Sequence, residues 1–126
     1  MEKIIQRIGQ VSIPVHNMKG AIEFYETKLG LQQLFSTDNM AFFDCNGIRL
    51  LLSIPEKEEF DHPSSIVYFQ VENIHQSFDN LVTEDVTFVG KPHMAAKMGQ
   101  TETWMAFFKD PDGNTHALMS EVQIES

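Results

Sequence analysis

The segment KPHMAAKMGQTETW, residues 91–104, holds an imidazole (His93), a carboxylate (Glu102) and the chain's single indole (Trp104). An imidazole or a carboxylate can exchange a proton with a bound substrate, and an indole offers a broad apolar contact, so this segment is the first candidate for catalysis or ligand closure. Its other reading is a solvated loop with Trp104 as a core or interface anchor. Arg49, in IRLLLSI, can hold an anionic group or simply sit at a sheet edge. The lone Cys45 has no second cysteine for an internal disulfide or a thiolate zinc site; in the apolar run AFFDCNG it reads as a strand residue rather than a nucleophile. His16 precedes a candidate helix cap, His62 lies in a polar stretch and His75 opens a candidate helix, and each reads as a solvated side chain.

The elements that must position these residues occur twice. SIPVHNMKGAIEFYETK, from Ser12, matches YFQVENIHQSFDNLVTE, from Tyr68, with Val15 set against Val71, Asn17 against Asn73, Ile22 against Phe78 and Tyr25 against Leu81. Each copy opens on a period-two strand. Val11, Ile13 and Val15 alternate with Gln10, Ser12 and Pro14, while Val67, Phe69 and Val71 alternate with Ile66, Tyr68 and Gln70. Asn17 and Asn73 then stand where a side chain can cap a helix. Behind Asn17, Met18, Ala21, Ile22, Tyr25 and Leu29 follow helical spacing up to Gly30; behind Asn73 come Ile74, Phe78, Leu81 and Val82. Three short strands follow each helix: LQQLFS, MAFFDC and IRLLLSI in the first copy, with Asn46-Gly47 as a hairpin turn, and VTFVGK, TWMAFFK and THALMSEV in the second, with Asp112-Gly113 before the last. The repeated unit is βαβββ. The first copy spans about residues 4–55, a Glu-rich linker occupies 56–64, and the second copy spans about 65–124.

A chain of 126 residues suits one domain, with no room for a second independent one. No apolar run approaches the roughly 20 residues of a membrane span, and the N-terminus alternates charged and apolar residues instead of offering a basic start and an apolar stretch. The expectation is a soluble cytoplasmic protein. A net charge of −9, with the few Lys and Arg scattered, leaves nothing to displace counterions from phosphates, so nucleic acid and membrane are not expected partners.

A duplicated βαβββ unit with DPDGN before its final strand resembles the vicinal oxygen chelate superfamily, which includes glyoxalase I, fosfomycin-resistance thiol transferases, bleomycin-resistance proteins, methylmalonyl-CoA epimerase and extradiol dioxygenases. AIEFYETKLGL and FFKDPDGN carry most of the likeness, which runs from about residue 4 to residue 122. The resemblance implies an α+β fold in which the two tandem units form a curved, cup-shaped mixed sheet, with helices on the outer face and ligand inside the cup. Gln10, Ser12, Ile66, Tyr68 and Gln70 would then look into the cup, and residues 91–104 would close over the ligand. It also implies a homodimer as the default assembly.

Metal-dependent members of that superfamily draw ligands from four strand positions. Here the first corresponds to Gln10, the second falls in IRLLLSI, which has no acid, His or Gln, the third is Ile66 and the fourth is Ala117. A hard divalent ion needs oxygen or imidazole ligands, and one amide does not hold it, so no divalent metal and no other cofactor is expected. The neighbouring His116 lies one residue out of register, and strand alternation points it toward the helix-covered face.

Two functions fit these residues. One is a small-molecule-binding or sequestering module whose apolar cup is oriented by Gln10, Ser12, Arg49, Tyr68, Gln70 and Trp104. The other is a lyase, isomerase or thiol transferase of the same superfamily, using His93 or Glu102 as base, either without metal or with an unorthodox ligand set. A purely structural protein is a third class, disfavoured by polar residues facing an apparent cavity.

Overall fold

The structure is a computed structural model that describes residues 4–124. The chain divides into two compact units, with the boundary between His62 and Pro63.

In the first unit, the apolar–polar alternation of Gln10–Pro14 forms β1. Asn17 then caps α1 (Met18–Glu23), its Oδ1 accepting the Gly20 backbone N–H at 3.1 Å. The helix widens into a π-turn over Phe24–Lys28, where Leu29 N–H reaches back five residues to the Phe24 carbonyl at 3.0 Å. Gly30, at φ +75°, ends it in the left-handed conformation that glycine adopts without strain. Strands β2 (Gln32–Ser36), β3 (Met40–Cys45) and β4 (Ile48–Ser53) complete a sheet ordered β1-β4-β3-β2, with β1 parallel to β4 and the other pairs antiparallel. The β3–β4 turn places both Asn46 (φ 53°) and Gly47 (φ 103°) at positive φ, as a tight two-residue hairpin requires. Ile13, Phe43, Leu50 and Leu52 are buried and share the sheet face that α1 covers, with Tyr25 packed against Phe43 at 6.2 Å between ring centroids. A short 3-10 turn (Glu58–Phe60) follows, and Asp61 Oδ1 lies 2.7 Å from Nε2 of His16. His16 is therefore half of a surface pair rather than merely solvated.

In the second unit, β5 (Val67–Gln70) leads to α2 (Ile74–Thr83), capped by Asn73 in the same way, with the Gln76 N–H at 3.1 Å. Strands β6 (Thr87–Phe88), β7 (His93–Met98), β8 (Thr101–Lys109) and β9 (Thr115–Gln123) form a sheet ordered β5-β9-β8-β6, with β7 also paired to β8. Residues 91–104, expected as a closing loop, are instead mostly a β7–β8 hairpin turning at Gly99 (φ +60°). All six residues of β7 are exposed and a bulge interrupts it between Met94 and Ala96, so it carries no period-two burial signal in the sequence. Ile66 also falls just outside its expected strand, immediately before β5.

DPDGN is a self-contained hydrogen-bonded turn. One oxygen of the buried Asp110 side chain accepts the backbone N–H groups of Asp112 (3.0 Å) and Asn114 (2.8 Å), and the other accepts Asn114 Nδ2 (2.9 Å). Gly113 supplies the positive φ (+83°), and Asn114 Oδ1 accepts the Ser64 N–H at 3.1 Å, tying the turn to the chain just ahead of β5. No helix among the described residues is long and apolar enough to cross a membrane.

Candidate functional site

Directly paired strand residues share a sheet face, so the registers sort every candidate onto a helix-covered face or an open one. In the first unit, Gln10 pairs with Arg49, Ser12 with Leu51, and Leu51 with Phe42. This is the face opposite buried Ile13, Leu50 and Leu52. Arg49 Nε donates to Gln10 Oε1 at 3.1 Å, and its guanidinium carbon stands 5.4 Å from the centroid of the Phe42 ring, a cation–π arrangement that holds the charge over the sheet. Arg7, whose guanidinium donates to the Gly47 carbonyl, joins Arg49, Gln10, Gly9 and Gly47 around a concavity of ≈ 510 Å³. Two guanidinium groups in one shallow depression suit an anionic group.

In the second unit, Tyr68 and Phe107 both pair with Ala117, while Gln70 and Met105 both pair with Met119. His93 pairs with Met105. These residues make one open face. Tyr68 and Phe107 meet edge to face across Ala117 at 6.3 Å, which explains why Ala117 lies on this face and is nevertheless fully buried. The His93 ring stacks on Phe107 at 6.2 Å, and its Nδ1 lies 3.2 Å from the Lys91 carbonyl. A carbonyl only accepts, so this contact places the proton of the neutral ring on Nδ1 and leaves the Nε2 lone pair available.

Glu102 and Trp104 stand apart from His93, which corrects the expectation that they line the same cup. They alternate with Thr103 and Met105 along β8 and fall on the face carrying α2, where Trp104 Nε1 donates to Glu102 Oε1 at 3.1 Å and Trp104 meets the ring of His75 at 5.2 Å. The reason is strand parity. A loop would have left their direction open, but a nine-residue strand assigns each side chain to a face. His116 lies on the same α2 face, between Phe69 and Phe108 at 5.6 and 5.8 Å, with Nε2 4.0 Å from Asp110 Oδ2. Burial lowers its pKa below the ordinary imidazole value, partly opposed by the negative field of Asp110. Cys45, half-buried at the end of β3, has its thiol pushed up by burial and then by Asp44, the reverse of what an activated nucleophile needs.

The residues present do not fit the superfamily's divalent ion. The Gln10 side-chain oxygen is engaged by Arg49, while Ile66 and Ala117 offer no donor atom. Among the described residues no group of three His, Cys, Asp or Glu side chains is placed to hold a metal. The sequence reading missed Phe42, Met105, Phe107 and Met119 as surface-forming residues, because their roles emerge only once the register sets them beside Arg49, His93 and Tyr68.

The model of the Glyoxalase/Bleomycin resistance protein/Dioxygenase superfamily matches residues 7–118. The metallothiol transferase FosB of Lysinibacillus sphaericus (strain C3-41) is 23% identical, over 87% of this chain and 79% of its own length. The uncharacterized protein YraH of Bacillus subtilis (strain 168) is 27% identical, over 86% of this chain and 93% of its own. The crystal structure of a glyoxalase/bleomycin resistance protein/dioxygenase superfamily member from Sphaerobacter thermophilus DSM 20745 aligns with a TM-score of 0.77 at 22% identity, covering 94% of this chain and 99% of that one, a likeness of fold.

Proposed function

Because the chain belongs to the glyoxalase/bleomycin resistance protein/dioxygenase superfamily, we propose that it is a metal-independent small-molecule-binding protein holding an apolar or amphipathic ligand on the open face of its second unit. The observation that carries this reading is the row of exposed Tyr68, half-buried Phe107 and exposed His93 over the Ala117 floor, flanked by Met105, Met119 and the amide of Gln70. Rings and thioethers supply adaptable apolar contact, and one amide supplies orientation. Within the first unit, Arg49 on the open face and Arg7 beside it line a separate depression that suits an anionic group. The protein works in the cytoplasm, as a homodimer.

A second reading, a metal-independent acid–base enzyme, is favoured by one observation: His93 presents Nε2 on the same face as Tyr68 while Lys91 holds its other nitrogen. Glu102 takes no part in it.

The test is a nuclear magnetic resonance titration of the labelled protein with 8-anilinonaphthalene-1-sulfonate, an amphipathic aromatic anion. Saturable shifts should concentrate at Tyr68, Gln70, His93 and Phe107, and Phe107→Ala should weaken binding at least fivefold. Shifts confined to the α2 face, or affinity unchanged in Phe107→Ala, would refute the reading. Proton exchange from a candidate substrate that is lost in His93→Gln, with binding retained, would favour the enzyme.

A further inference from the structure

The α2-covered side of the second unit holds a cavity of ≈ 840 Å³ that the open-face reading does not use. It lies between the N-terminal half of α2 and strands β8 and β9, and Glu72, His75, Asn80, Trp104, Ser120 and Val122 are among its lining residues. Two features set it apart from an ordinary packing defect. Ser120 is 1% exposed, and its Oγ has no hydrogen-bond partner among the described residues. A buried hydroxyl left in that state is costly unless something supplies the missing bond, and a ligand group entering the cavity would do so. The second feature is Trp104, half-buried, with its indole N–H already given to Glu102, so that what remains for a visitor is ring surface.

The charge around the cavity selects the visitor. Glu72 lines it, and Glu102 sits behind the indole. Among the described residues no Lys or Arg lines it, and the chain as a whole carries −9. The positive end of α2 opposes a cation only weakly, because Asn73 already occupies the Gln76 N–H and Glu72 stands immediately ahead of the cap. An anion would meet the Glu72 carboxylate with no Lys or Arg among the described residues lining the cavity to balance it.

We propose that this cavity is a second ligand site, separate from the open face, that takes a small organic ammonium ion bearing an apolar group. The ammonium donates hydrogen bonds to Ser120 Oγ and the Glu72 carboxylate, and the apolar group lies against Trp104, whose π surface also attracts the charge.

Trp104 is the chain's single tryptophan, so its fluorescence reports on this site. The full chain is titrated at pH 7.5 with benzylammonium chloride and, separately, with sodium benzoate at matched ionic strength. Benzylammonium should give a saturable change in emission and benzoate none. Glu72→Gln, at an exposed position where folding is not at stake, should weaken benzylammonium binding at least fivefold, and Ser120→Ala at least threefold. Tyr68→Ala, on the opposite face, should leave it unchanged and so separates this site from the open-face proposal. The inference is overturned by the absence of a saturable response to benzylammonium, by an equal response to benzoate, or by full affinity in Glu72→Gln.

Discussion

Replacing Asp110 with alanine tests whether the DPDGN turn is held by its first side chain. Asp110, 5% exposed, accepts hydrogen bonds from the backbone N–H groups of Asp112 and Asn114 and from Asn114 Nδ2. The Asn114 bonds lie in buried surroundings and the Asp112 bond in a half-buried one, so water can recover only part of what is lost. A buried donor left without an acceptor costs about 1–3 kcal/mol, and a hydrogen bond to a charged group contributes about 1.5–3 kcal/mol. Because these bonds share one acceptor group and are not additive, the loss should total about 3–5 kcal/mol. For a chain of this length that is roughly a 10–20 °C fall in Tm. Asp110→Asn, which keeps one acceptor oxygen, should lose about half as much. Urea unfolding followed by circular dichroism measures both, and an unchanged m-value shows that stability changed without a change in the surface exposed on unfolding. A loss below ~1 kcal/mol for Asp110→Ala would refute the claim that this side chain organises the turn.

Three further outcomes follow from the same geometry. Burial disfavours the charged form of His116 in the folded protein, whereas the unfolded chain binds that proton near the ordinary value of 6.5, so just below this pH the unfolded state holds more protons and stability falls as pH drops. The urea midpoint should therefore be lower at pH 5.5 than at 7.5; His116→Phe should flatten part of that difference, and Asp110→Ala should steepen it by removing the field that favours protonated His116. An equal slope in His116→Phe would show that other groups carry it. For the metal, zinc, nickel and manganese should leave the Tm of the unmodified protein unchanged, whereas Ile66→His with Ala117→Glu should melt lower without metal, because glutamate forces Tyr68 and Phe107 apart at a cost of about 1–3 kcal/mol, and should regain stability when zinc is added. Zinc stabilisation of the unmodified protein would sink the metal-independent reading.

The sequence by itself determined the duplication, the caps and the turns, because each rests on interactions within a few residues. Asn17 and Asn73 cap helices through atoms three positions away, Asn46-Gly47 and Gly113 turn through their own φ, and strand alternation sends His116 to one face and Ala117 to the other. That Ile66 and Ala117 carry no donor atom is plain from side-chain chemistry, while their correspondence to ligand positions rests on the superfamily resemblance. Partnership between strands was decided only by tertiary structure. A two-sided exposed edge strand such as β7 has no burial period, so residues 91–104 read as a loop, and His93 and Glu102 looked like neighbours in one site until pairing with β8 placed them on opposite faces. The ring contact across Ala117, the guanidinium of Arg49 over Phe42 and the cavity beside Ser120 each join residues distant in the chain, and local propensity carries no information about such meetings.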